Sequence, residues 1–108
     1  MSVISTHVLD TQTGLPAAGV PVVLEYQYSE TQWELVGTGI TDSDGRLRNL
    51  VPDDFTIKPG TYKLTFDTSQ REGFYPHVVV SFVLKEPIRN CHIPLLLGPH
   101  SYTTYKGS

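Results

Sequence analysis

A single cysteine, Cys91, is all the chain has, and a lone thiol excludes an intrachain disulfide framework. An excess of positive charge is missing as well: 8 Lys and Arg stand against 11 Asp and Glu, a formal net charge of -3, so no basic field exists to neutralise a phosphate backbone or an anionic membrane. Neither nucleic acid nor a membrane is expected as a partner. No apolar run approaches the roughly 20 residues that span a bilayer, and MSVISTHVLD has neither a basic n-region nor a long apolar h-region. An intracellular, reducing compartment is the expectation. Four histidines are scattered without a CxxC or HExxH spacing, so no metal is expected.

A helical period is also lacking, and alternation takes its place. Val20, Val22, Leu24 and Tyr26 share one face of a strand, Tyr62, Leu64 and Phe66 one face of another, and Val78, Val80, Phe82 and Leu84 one face of a third. Further strands are expected near residues 3 to 9, 32 to 40, 90 to 97 and 101 to 106. TGLPAAG, DSDG, KPG, REG and LLGP are turn words that separate them. One domain over residues 1 to 108 follows, an all-β, two-sheet antiparallel β-sandwich with little or no helix. Two strands exceed the pattern. Val79 and Val83 lie opposite the Val78 set, and Pro94 and Leu96 lie opposite Ile93, Leu95 and Leu97. A sheet that faces water on one side alternates more cleanly, so the extra apolar face is expected to meet another subunit.

Two imidazoles interrupt these strands. His7 shares a face with Val3 and Leu9, and His92 shares one with Pro94 and Leu96. Imidazole titrates near neutrality, so it can take a proton from water and pass one to a leaving nitrogen, which is what hydrolysis of an amide-like bond requires. Partial burial keeps such a base neutral. Arg46, in DSDGRLRN, follows a turn; there it is either a solvated hairpin charge or a planar fork that holds an anionic substrate or an oxyanion. Arg48 shares the turn and is the decoy. Cys91 points away from the His92 face and reads as a small core residue.

Taken together, STHVLD with TGLPAAGVPV, then TDSDGR, then GTYKLTFDT with FYPHVVVSF, and finally CHIPLLLGPHSYTTYKGS resemble the transthyretin-related family, specifically its 5-hydroxyisourate hydrolases. The likeness covers nearly the whole chain, in order. It implies a prealbumin-like (transthyretin-like) sandwich, a homotetramer built as a dimer of dimers, and sites in the channel between dimers. It also implies hydrolysis of 5-hydroxyisourate to 2-oxo-4-hydroxy-4-carboxy-5-ureidoimidazoline in urate degradation, without metal or cofactor. The family's functional positions fall on His7, Arg46 and His92 as catalytic residues, and on Tyr105, Lys106, Gly107 and Ser108 as substrate-binding residues.

On that resemblance one histidine, with His92 favoured, activates a water that attacks the ring carbonyl. His7 orients the water or supplies the proton to the departing nitrogen, while Arg46 offsets charge on the carbonyl. An acyl intermediate on Ser108 is the competing mechanism, and a transthyretin-like small-ligand carrier is the competing function; family carriers lack the two histidines and the Gly-Ser ending. Two departures stand out. Lys106 replaces the family's usual arginine, keeping the charge and losing the planar fork. Only Ser69 to Gly73 separate FDT from FYP, where the family carries a longer segment with a short helix, so no helix is expected here. Some relatives work in peroxisomes, but the ending is not a Ser-Lys-Leu address, and a cytoplasmic location is expected.

Overall fold

The computed structural model describes residues 3–107. Among them are nine strands and no helix: β1 Ile4–Asp10, β2 Leu15–Pro16, β3 Pro21–Gln27, β4 Trp33–Ile40, β5 Arg46–Leu47, β6 Gly60–Asp67, β7 His77–Leu84, β8 Cys91–Leu97 and β9 Tyr102–Thr104. They form two sheets, β2-β1-β8-β9 with β5 also on β1, and β4-β3-β6-β7. Every pairing is antiparallel except β1 with β8, which run parallel.

The sandwich closes over the residues that alternation singled out. Val22, Leu24, Tyr62, Leu64, Phe66 and Val78 are buried from one sheet, and Ile4, Val8, Ile93, Leu95 and Leu97 from the other. Each large side chain removed from water contributes about 1.5–3 kcal/mol, and that sum holds the two layers together. The polar groups inside, Thr6, Thr41 and Thr68, are paired: the Thr6 hydroxyl donates to the Ile93 carbonyl at 2.6 Å, tying β1 to β8. On the outer face of β7, Val79 and Val83 remain exposed, as an unpartnered apolar edge would be.

Two local devices shape the layers. Between β3 and β4 the register shifts at Leu24/Glu25, so Val36 is an extra residue whose side chain turns inward. Next to it Gly37 lets the Leu50 segment close in, because a Cβ there would sit 1.7 Å from the Leu50 carbonyl oxygen. The short segment after β6 is held as a turn instead of a helix. Thr68 N–H donates to Pro76 O at 3.0 Å, the Thr68 hydroxyl donates to Tyr75 O, and Phe74 N–H donates to Pro99 O at 2.7 Å. Arg71 Nη2 lies 3.0 Å from Asp10 Oδ2 and, with the help of the Gln12 and Thr13 amides, holds that carboxyl below its ordinary value. The segment is thereby anchored to the far end of β1, three positions from His7.

The C-terminal strand is shorter than expected. β9 pairs Thr104 with Leu95, then leaves the ladder at Tyr105 and Lys106 and rejoins it where Gly107 bridges His92. Pro94 explains the gap, since it has no N–H to donate and its carbonyl accepts from the Thr104 hydroxyl at 2.8 Å.

Gly37→Ala is expected to destabilise the fold by on the order of 3 kcal/mol, since backbone and not a flexible side chain opposes the added methyl. Urea unfolding of the variant against the parent measures it.

Candidate active site

The inner face of β1 belongs to Ile4, Thr6 and Val8, so Ser5, His7 and Leu9 look outward. On β8 the inner face is Cys91, Ile93, Leu95 and Leu97, which turns His92, Pro94 and Leu96 outward. The parallel register sets Ser5 beside His92, His7 beside Pro94 and Leu9 beside Leu96. Both imidazoles therefore stand half-buried on one outer face of one sheet, on neighbouring strands.

Arg46 reaches the same face from the other flank of β1. In the DSDGR turn the Asp42 carboxylate accepts from Asp44 N–H at 2.9 Å and from Arg46 N–H at 3.0 Å, and Gly45 N–H donates to Asp42 O at 2.9 Å. Those bonds, the Arg46 amide foremost, hold the Asp42 carboxyl below its usual range. Gly45 has φ 74, and its carbonyl accepts from Val8 N–H at 2.8 Å. The turn is thus sewn to β1, and Arg46 pairs directly with His7.

The tail completes the flank of His92. Gly107 N–H donates to His92 O at 2.7 Å, and a Cβ on Gly107 would meet His92 Cδ2 at 2.9 Å and His92 O at 3.0 Å. Only glycine lets the backbone lie this close. Ser108, expected in the site, lies outside the described residues. Lys106 is placed on the other side of the tail, where it lines a cavity of about 630 Å³ with Cys91, Ile93 and Tyr105, and none of the three catalytic candidates lines that cavity. The charge of Lys106 is felt by the Cys91 thiol, whose pKa burial pushes up. Cys91 is the core residue expected of it, 8% exposed.

Burial lowers the pKa of His92 below 6.5, and the nearby charges of His7, Arg46 and Arg48 lower it further. Both effects favour the free base over the imidazolium. Two residues that sequence reasoning passed over belong to this group. Ser5 Oγ stands 2.8 Å from His92 Nδ1, and Arg48, set aside as a decoy, is close enough to act on His92 through its charge. The i, i+2 spacing of Ser5 and His7 already put them on one face; that His92 would stand beside Ser5 was invisible without the β1–β8 register. His77 and His100 are exposed and elsewhere. Among the described residues no group of three or more His, Cys, Asp or Glu could hold a metal ion.

What the arrangement can do is chemical as well as geometric. A neutral imidazole, a second imidazole one strand away and a guanidinium on the same face suit proton transfer to and from an electron-rich planar molecule, with a cation beside the charge that develops. Residues 4–107 match a family model described as the HIUase/Transthyretin family. The chain is 46% identical to the 5-hydroxyisourate hydrolase of Mus musculus over 99% of its own length and 96% of that protein. Its fold is similar to the 5-hydroxyisourate hydrolase of Klebsiella pneumoniae, with a TM-score of 0.79, 31% identity and 97% and 98% of the two chains covered. It is similar also to the transthyretin of Sparus aurata, with a TM-score of 0.87, 28% identity and coverage of 99% and 97%. Backbone shape alone therefore does not separate hydrolase from carrier, and the side chains on the outer face have to.

The pKa assignment has a measurable consequence. A proton-sensitive NMR signal of the His92 ring is expected to titrate below 6.5 in the folded protein and to return towards 6.5 on unfolding. Because the folded state then binds fewer protons than the unfolded chain, His92 favours folding above 6.5, and that contribution falls as pH drops towards the lowered folded value.

Proposed function

As this chain belongs to the HIUase/transthyretin family, we infer that its outer sheet face is the active site of a hydrolase and that its substrate is 5-hydroxyisourate. The protein is a 5-hydroxyisourate hydrolase of urate degradation, and carriage of a small ligand is not its role. The observation that carries the chemistry is the register that pairs Arg46 with His7 and His92 with Ser5, so that the three candidates share one outer face of three neighbouring strands.

In our reading His92, held neutral, takes a proton from water as the water oxygen bonds to the ring carbonyl carbon. Arg46 binds the oxygen-rich edge and offsets the negative charge that builds on the carbonyl oxygen. His7 orients the water or donates to the ring nitrogen as the carbon–nitrogen bond breaks. Gly107 brings the tail against His92 to seat the substrate, while Tyr105 and Lys106 line the cavity on the other side. Lys106, whose side lies towards Cys91, serves as charge and not as a bidentate clamp.

A site on the open face of a protomer needs walls, since water competes with every charged contact on an exposed sheet. Leu9, Pro94 and Leu96 give that face an apolar floor, and we assign its cover to further copies of the chain in a homotetramer, a dimer of dimers. Native mass spectrometry is expected to give four chains per particle; a monomer under assay conditions would contradict the assignment.

For the activity, 5-hydroxyisourate formed in situ from urate is followed by its absorbance. The protein is expected to accelerate the decay. His92→Ala is expected to lose about 10²–10⁴-fold through the missing base, and Arg46→Ala about 10²–10³-fold through the missing charge. Gly107→Ala lifts the tail from His92 and should reduce turnover while the sandwich stays folded. Decay no faster than the spontaneous reaction would sink the reading.

A further inference from the structure

Ser5 belongs to no role so far described, yet among the described residues it makes the side-chain hydrogen bond to the His92 ring. Its Oγ lies 2.8 Å from Nδ1, in a half-buried position, across 87 positions of sequence. The bond is set by backbone and not by chance rotamers, because Ser5 and His92 are directly paired residues of the parallel β1–β8 ladder and both side chains point outward. The His92 backbone is fixed as well, by the Gly107 bridge.

A hydroxyl can donate or accept, so the contact has two meanings. If Ser5 donates, Nδ1 carries the lone pair, Nε2 carries the hydrogen, and the free ring nitrogen can only give a proton away. If Ser5 accepts, Nδ1 carries the hydrogen and Nε2 is left with a lone pair turned away from the strand. A ring that takes a proton from water must be in the second state, because Nδ1 is occupied by Ser5 and Nε2 is the nitrogen left to react. Burial first, and then the electrostatic influence of His7, Arg46 and Arg48, favours a neutral imidazole over an imidazolium, whichever nitrogen carries the hydrogen.

We propose that Ser5 is the positioning residue of this site, its Oγ accepting from His92 Nδ1–H so that the ring keeps one orientation and presents an unprotonated Nε2 to the attacking water. The proposal rests on His92 being the general base. Ser5 forms no bond to substrate and takes no proton. When Nε2 accepts the water proton, hydroxide bonds to the carbonyl carbon, and the Nδ1–H···Oγ bond becomes charge-assisted and stronger. The proton on Nε2 leaves again as the departing ring nitrogen gains one, so the ring returns to its starting tautomer. Ser5 thus plays the part that a carboxylate plays towards the histidine in serine hydrolases, without placing a negative charge beside a urate-derived anion.

The test compares Ser5→Ala, Ser5→Thr and His92→Ala, each checked for folding by circular dichroism, on 5-hydroxyisourate generated in situ across a pH series. Ser5→Ala is expected to lower kcat by about 10- to 100-fold with KM nearly unchanged, and to shift the acid limb of the profile to lower pH, because the imidazolium loses an acceptor. Ser5→Thr keeps the hydroxyl and is expected to restore both rate and profile. Nitrogen-15 NMR of the parent protein above that limb should find Nε2 of His92 unprotonated and Nδ1 protonated, an observation that needs no variant. Parental kcat and pH profile in Ser5→Ala while His92→Ala is inactive would overturn the positioning role and leave the hydrolase reading intact. A protonated Nε2 in the neutral ring would overturn the assigned tautomer. Full activity in His92→Ala would remove the base itself, and this proposal with it.

Discussion

The parallel ladder between β1 and β8 is the constraint on which the site depends. It joins a strand from the start of the chain to one near its end, and it is locked from inside by Thr6 donating to Ile93 O and by the packing of Ile4, Val8, Ile93 and Leu95. Side chains alternate with a period of two, so the burial of the inner rows dictates the outer ones. A slip of one residue on either strand would bury an imidazole and expose a Leu or Ile, at a cost of several kcal/mol in lost burial. Catalytic geometry is therefore maintained by the hydrophobic core beneath it.

Onto this ladder the remaining pieces are fastened by backbone bonds. Val8 N–H donates to the Gly45 carbonyl, which brings the DSDGR turn alongside, and Asp42 gathers the amides of that turn. On the opposite flank Pro94 opens the β8–β9 ladder, Thr104 caps the vacant carbonyl, and Gly107 closes the ladder again at His92. A proline in a central strand would ordinarily weaken it. Here it releases Tyr105 and Lys106 from pairing while the tail still returns to the imidazole. The electrostatic consequence is a ring pushed towards its neutral form by burial first and then by nearby charge, a condition a base needs.

The short segment after β6 closes the end of the sandwich without a helix. Where a helix would have covered the end of the sandwich, Asp67 and Thr68 gather the turn, Phe74 and Tyr75 stack edge-on towards Tyr102, and Arg71 grips Asp10. These contacts are local or reach only the far ends of β1 and β8. The outer row of Ser5, His7 and His92 is left untouched.

Much was legible in the chain itself. Strand positions followed from alternation, since a half-buried strand writes its two faces into every second residue; the core members Leu24, Tyr62, Leu64, Phe66 and Leu95 and the outward pointing of His7 and His92 were all local properties of that kind. The imidazoles on sheet faces were visible one strand at a time, whereas Arg46 and the tail were singled out through the family resemblance. Which strands would lie side by side was not legible. The β1–β8 register, the partnership of Ser5 with His92, the nearness of Arg48 and the turning of Lys106 towards Cys91 all join residues far apart in sequence. Period and propensity are properties of neighbours along the chain, whereas pairing across a sheet is decided by the collective burial of two layers, and only the tertiary structure carries that information.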